Sequence, residues 1–180
     1  MAEKRQQLFV VTGPESAGKS TLAQQLADWL KAPLVPEVAR DYLQRQPAQP
    51  AQYEAADVVA IAQLQQQAED QALSADAPIV IADTDFYVLA LWWQERFAAS
   101  HGNFPVPVPE RNNIDVAYLL CYPDIAWQPD PLRENPFDRD RLFARQMHML
   151  DQSAANYRVV WGQGVFRRRL ARQYIEATRA

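Results

Sequence analysis

Gly13-Pro14-Glu15-Ser16-Ala17-Gly18-Lys19-Ser20, followed by Thr21, decides how this chain is read. The stretch fits G-x-x-x-x-G-K-[ST], the pattern of a phosphate-binding loop. Gly13 and Gly18 permit backbone angles and a close approach that turn successive N–H groups toward phosphate oxygens. Lys19 places a point charge at the β- and γ-phosphates, and Ser20 offers a hydroxyl to Mg²⁺. A helix opening at Lys19 aims the positive end of its dipole at the same anions. Gly13, Glu15, Ser16, Ala17, Gly18, Lys19, Ser20 and Thr21 are the candidate residues for the phosphates of a nucleotide.

The flanks supply the setting that the pattern needs. Leu8-Phe9-Val10-Val11 is an apolar run that reads as a buried parallel strand. Beyond the loop, Leu22, Leu26, Trp29 and Leu30 recur at helical spacing.

A chain of 180 residues, 48% apolar and 22% charged, is expected to form one soluble globular domain spanning 1–180. No run approaches the ~20 apolar residues of a membrane span, and the first residues lack the apolar core of a secretory leader. The single Cys121 has no internal disulfide partner and reads as inert filling. These features lead us to expect a cytoplasmic protein that does not engage membranes. A net charge of −4 argues against a nucleic-acid-coating protein.

Further along, Ala32-Pro33-Leu34-Val35-Pro36 reads as a short second strand near a sheet edge, and Glu37-Val38-Ala39-Arg40-Asp41-Tyr42-Leu43 as a helix start. Glu37 then stands at a strand end, where doubly wound sheets place ligands, with Arg40 three residues on and able to face the same way. Residues 46–50 read as a linker and 51–75 as a long helix. Its expected buried stripe is Val58, Ile61, Leu64, Ala68 and Leu73, with Gln63, Gln65, Gln66 and Gln67 on the solvated face.

Pro78-Ile79-Val80-Ile81-Ala82-Asp83-Thr84-Asp85 is the second strong signal. A β-branched run delivers Asp83 to the C-terminal end of a strand, where an aspartate holds or orients Mg²⁺ and its waters. If the strand persists, Asp85 points the same way and faces substrate; otherwise it caps the next helix. On that helix Trp92 and Trp93 diverge by about 100°, so one belongs to the core and the other to a pocket. His101 sits in a proline-rich loop with no partner ligand nearby.

Ile114–Tyr122 reads as a fourth strand. The loop beyond it, about 123–141, is rich in proline and carries Trp127 and the arginines Arg133, Arg139 and Arg141. Such fixed, forked donors suit the charge that spreads over a transferring phosphoryl group. A helix over Leu142–Ala155 and a fifth strand over Tyr157–Trp161 follow. Gly162-Gln163-Gly164 then lets the backbone approach the flat edge of an adenine. The last helix, Phe166–Thr178, carries Arg167-Arg168-Arg169 on what reads as a solvated face, and an Arg172–Glu176 pair.

These pieces add up to a five-stranded, mainly parallel α/β domain with an arginine-bearing lid. Val35-Pro36-Glu37-Val38-Ala39-Arg40-Asp41-Tyr42, Ala82-Asp83-Thr84-Asp85, Trp127-Gln128-Pro129-Asp130-Pro131-Leu132-Arg133 and Tyr157-Arg158-Val159-Val160-Trp161-Gly162 carry a narrower resemblance. With the phosphate loop, they resemble the ribosylnicotinamide kinase domain of NadR-like NAD-biosynthesis proteins, within the AAA-type P-loop families. The resemblance covers nearly the whole chain.

It implies a three-layer αβα P-loop NTPase fold and ATP- and Mg²⁺-dependent phosphorylation of a small nucleoside, with nicotinamide riboside the first choice. Lys19 and Ser20 would hold phosphate and metal, and Asp83 would complete the Mg²⁺ shell. Glu37 is then the candidate base for the 5′-hydroxyl, with Asp85 the alternative. Arg40 would orient the substrate or Glu37, and Arg133, Arg139 and Arg141 would stabilise the transition state. Trp92, Trp93 or Trp127 could stack on a cationic pyridinium ring, a contact worth ~0.5–2 kcal/mol. Pro131 stands where the family shows glycine, which fixes φ in the lid. Multifunctional members also carry an adenylyltransferase domain; with the loop 13 residues in and two histidines in the chain, a kinase alone is expected.

Overall fold

The computed structural model describes residues 5–45, 53–75, 77–130, 133 and 137–179. The linker expected at 46–50 and the lid residues Pro131, Leu132, Glu134, Asn135 and Pro136 lie outside the described residues.

Among the described residues five strands, β1 (Gln6–Thr12), β2 (Leu34–Val35), β3 (Ile79–Asp83), β4 (Ile114–Cys121) and β5 (Asn156–Val160), form one sheet in the order β2-β3-β1-β4-β5. Every neighbouring pair is parallel, so the sheet is all-parallel rather than mainly so. The proline-framed β2 is an edge strand, as its sequence suggested. β3 is buried along its whole length, which is why its sequence is a continuous apolar run and not an alternation.

Among the described residues seven helices accompany the sheet: α1 (Lys19–Leu30), α2 (Val38–Gln44), α3 (Ala55–Ser74), α4 (Phe86–Arg96), α5 (Ala98–His101), α6 (Arg139–Gln152) and α7 (Gly164–Arg179). α1 and α7 cover one face of the sheet, packing Leu22, Leu26, Ala171 and Ile175 against Phe9, Ile81, Leu119 and Cys121. Leu73 of α3 and Phe143 and Leu150 of α6 cover the other face, against Leu8, Val10, Val80 and Leu120. The result is the three-layer αβα P-loop architecture. A separate aromatic cluster, with Tyr53, Phe86, Trp93 and Phe97, binds α2, α3 and α4 to one another beside the sheet.

Two expectations need correction. Leu64 is exposed, while Gln65 and Glu69 are buried on α3. Burial of Gln65 is possible because its Oε1 accepts the Val38 N–H (3.1 Å) and its amide donates to Glu69 (3.4 Å), so the polar group is satisfied. α6 begins at Arg139, three residues earlier than expected, with Asp140 in its first turn complementing the helix dipole. Arg172 also lies over the Trp29 ring, 4.6 Å from its centroid.

Candidate active site

The phosphate loop leaves the end of β1 at Gly13 and packs directly against the end of β4. Gly13 has φ 139°, and a Cβ there would come within 2.7 Å of the Cys121 carbonyl oxygen, so only glycine lets the loop leave the sheet here. For the loop amides to face inward its carbonyls must face outward, and two of them are held that way by guanidinium groups. Arg139 donates to the Ser16 carbonyl (3.2 Å) and also to that of Ile125 (2.9 Å), while Arg167 donates to the Ala17 carbonyl. Lys19 Nζ donates to the Pro14 carbonyl (2.9 Å). Burial raises the Cys121 thiol to about 12, consistent with inert filling beneath the loop.

In front of the loop opens a cavity of about 350 Å³. All eight candidate phosphate residues line it, as do Glu37 and Arg40 from the turn after β2 and the start of α2. Leu43, Val88, Leu91 and Trp92 make an apolar wall, and Gln128 and Arg133 reach in from the lid. One space therefore joins an anion cradle, a carboxylate and an aromatic face. Glu37 is the N-cap residue of α2, yet its side chain makes no capping bond. Arg40 is tied to Asp130 of the lid at 3.0 Å. Trp92 donates its indole N–H to the Tyr53 hydroxyl and meets that ring edge-on at 4.7 Å, which fixes its plane.

Asp83 ends β3 beside the loop. Its carboxyl is raised above the usual carboxylate range by burial, a shift opposed by a hydrogen bond with Ser20 and the Lys19 charge. Its Oδ1 is buried without a hydrogen-bond partner. An orphaned carboxylate oxygen next to a serine hydroxyl is a donor set of the kind Mg²⁺ takes, through water or directly, so these residues fit the metal. Among the described residues no group of three or more His, Cys, Asp or Glu could hold a metal ion. Phosphate oxygens and water would have to complete the shell.

Asp85 is not in this cavity. The strand stops at Asp83, Thr84 takes a left-handed φ of 70°, and the alternation that would have kept the two aspartates together is broken. Asp85 instead caps α4 through Tyr87 N–H (3.1 Å) and lines a small void with Glu69, Arg111 and Tyr118. Burial and the neighbouring Glu69 charge push its carboxyl up to about 7.

The tryptophans also separate. Trp93 is 3% exposed in the aromatic core, with its N–H donated to the Gly102 carbonyl (2.8 Å), and has no access to the cavity. Trp127 donates to Glu15 Oε1 (3.1 Å), so it pins the lid to the phosphate loop and does not line the cavity. Of the three arginines expected in the lid, Arg139 and Arg141 sit in the first turn of α6, and Arg133 alone lies in the loop after β4, where it donates to the Gln128 carbonyl (2.7 Å) and reaches the Ser16 hydroxyl at 3.5 Å. Arg141 turns the other way and forms a forked pair with Glu95 of α4 (2.8 and 3.1 Å), which Arg145 also contacts.

The Gly162-Gln163-Gly164 turn stands outside the cavity lining but is linked to the loop. Gly162 N–H donates to the Asp124 carboxylate, and Gln163 Nε2 to the Asp124 carbonyl (3.3 Å). Gly162 has φ 80° under the Phe166 ring, where a Cβ would meet Cδ1 at 2.5 Å. Sequence reading missed Asp124, Glu95 and Gln146, the last of which donates to Thr12. Asp124 had a usable signal, since it follows a strand's C-terminal end. Arg167 was placed on a solvated face and is instead 5% exposed.

No curated protein matches this sequence. The fold is shared with solved structures of low identity. A NadR protein in complex with NR superposes with a TM-score of 0.73 at 19% identity, over 96% of this chain and 51% of that one. A NadR protein in complex with NAD and AMP-PNP gives 0.70 at 18% identity, over 96% and 49%. The chain thus spans about half the length of these NadR chains. Deoxyadenosine kinase from M. mycoides with products dCMP and a flexible dCDP bound gives 0.70 at 10% identity, over 94% and 99%. Those likenesses establish a fold that small-molecule kinases use, and the acceptor stays a matter for the site. The sequence model described as AAA domain matches residues 8–169, and the chain belongs to that family.

Proposed function

We propose that this protein is an ATP- and Mg²⁺-dependent kinase that phosphorylates the 5′-hydroxyl of nicotinamide riboside, giving nicotinamide mononucleotide. The observation that carries the reading is the shared cavity: Glu37 and Trp92 line the same space as the phosphate loop.

The loop amides and the α1 N-terminus bind the triphosphate, and Lys19 leaves the Pro14 carbonyl for the β- and γ-phosphates. Ser20 and Asp83 would hold the metal, which would supply neutralising charge to the phosphates. Glu37 accepts the proton of the acceptor hydroxyl as that oxygen bonds to the γ-phosphorus. The bond from that phosphorus to the β–γ bridging oxygen breaks, and ADP leaves with the electron pair. Arg133 stabilises the transferring group from the lid. The fixed plane of Trp92 suits stacking on a cationic pyridinium ring within an apolar wall. The Gly162-Gln163-Gly164 turn receives the adenine, and a single kinase domain over 1–180 is part of the same reading.

Purified protein with MgATP and a panel of acceptors tests this. We expect ADP release to depend on nicotinamide riboside. The second reading, a deoxynucleoside kinase, is favoured by the deoxyadenosine kinase likeness over nearly the full length of both chains. ADP release with deoxynucleosides and none with nicotinamide riboside would select it. Slow hydrolysis that no acceptor alters would point to a nucleotide-dependent regulatory ATPase.

A further inference from the structure

We propose that Arg167, acting with Asp124, is a positioning residue for the phosphate donor, joining the back of the phosphate loop to the turn that follows β5. The proposal rests on the kinase reading above. It concerns the first residue of the Arg167-Arg168-Arg169 run, whose third member is exposed while the first is buried.

Arg167 spreads its guanidinium over three acceptors from separate parts of the chain. Nη1 donates to the Ala17 carbonyl, and Nη2 donates to the Tyr122 carbonyl (2.9 Å) and to Asp124 Oδ1. The charge also lies close behind the anion cradle, since a Cβ on Gly18 would stand 3.2 Å from Nη1. Asp124 uses its other oxygen for Gly162 N–H, and its carbonyl for Gln163 Nε2. A buried ion pair is weak evidence of stability, because apolar groups of the same volume often serve as well. What this pair does is geometric: it keeps the Ala17 carbonyl turned away from the cradle and ties that orientation to the glycine turn. The cation behind the cradle also raises the potential that a triphosphate meets. The consequence is a coupling between the two ends of the donor, its phosphates on the loop and its base beside the turn.

Titration calorimetry with MgATP and, separately, magnesium tripolyphosphate tests it on the full chain and on Arg167→Lys, Arg167→Met and Asp124→Asn, with a thermal melt of each. Loss of a charged hydrogen-bond donor at the loop should weaken both ligands about tenfold or more in Arg167→Met. Arg167→Lys, which keeps the charge and loses the fork, should fall between that variant and the wild type. Asp124→Asn should weaken MgATP more than tripolyphosphate, because the turn serves only the base. A purely structural pair would move the melting temperature and leave that split untouched. A folded Arg167→Lys or Arg167→Met that binds both ligands like the wild type overturns the proposal. Should neither arginine variant fold, an Asp124→Asn protein with wild-type affinity for MgATP overturns it. Wild-type protein that binds neither ligand sinks the kinase reading itself, a result distinct from a variant that makes no difference.

Discussion

Asp83 and Asp85, two residues apart, serve opposite sides of the sheet. Asp83 bonds to Ser20 at the phosphate loop, whereas Asp85 meets Glu69 and Tyr118 on the α3 side. Thr84, at φ 70°, makes the reversal. Asp83→Asn should therefore lower turnover by about a hundredfold or more, as for other losses of a group that organises developing charge. Asp85→Asn should leave turnover within a fewfold, since asparagine can still accept the Tyr87 N–H. Steady-state assays of the two variants decide the matter; collapse of the Asp85 variant alone would return that residue to the chemistry.

Asp85 should instead show itself in stability against pH. Its carboxyl is pushed up to about 7 from an ordinary 3.8. Between those values the folded chain holds a proton that the unfolded chain has released, so stability falls as pH rises through that window. The effect is fully present below about pH 4 and gone above about pH 7. Glu69, also raised chiefly by burial, contributes in the same sense. Thermal melts from pH 5 to 8 should show a falling melting temperature, and Asp85→Asn should flatten the slope. An unchanged slope in the variant removes Asp85 as its source.

Glu37→Gln separates proton acceptance from binding. The side chain makes no capping bond to α2, so the amide should not disturb that helix. Loss of a general base lowers kcat by roughly 10²–10⁴, and the KM for ATP should stay near its wild-type value. A kcat within a fewfold of wild type would leave the acceptor hydroxyl without its assigned base.

Much of this was legible in the chain because local pattern and global fold agree. The strand, glycine loop and helix around Lys19 fixed the sheet's central element, and the β-branched run fixed β3 and Asp83. The failures share a cause: each depends on which way a side chain turns where regular periodicity ends. Thr84 breaks the strand alternation and carries Asp85 away. Gln65 and Arg167 are polar by composition, yet partners distant in sequence, Val38 N–H and the Ala17 carbonyl, permit their burial. Asp124 earns its place through Gly162 and Arg167, contacts that no local window contains.

Trp92 and Trp93, adjacent in sequence, should respond to mutation in different currencies. Trp93 fills the core between Phe97 and Phe104, at ring distances of 5.5 and 5.3 Å. Trp93→Ala should cost about 3–5 kcal/mol of stability and lower the melting temperature by roughly 10 °C or more. Trp92→Leu keeps the apolar wall but removes the aromatic face, so the acceptor KM should rise while kcat and the melting temperature move little. Equal acceptor KM values for Trp92→Leu and wild type would take Trp92 out of substrate recognition.

Lys19 tests the anion cradle directly. Its ammonium donates to the Pro14 carbonyl within the loop and lies near enough to Asp83 to oppose the rise of that carboxyl, with no packing role in the core. Lys19→Ala should therefore fold normally and melt near the wild type without ligand. Added MgATP should raise the wild-type melting temperature, because a ligand at 100 times its Kd stabilises the folded state by about 2.7 kcal/mol. The variant should show a much smaller rise, and its turnover should drop by about 10²–10³, the loss expected when one fixed charge on the transferring group is removed. Full turnover in a folded Lys19→Ala protein would mean that the triphosphate is held somewhere other than this loop.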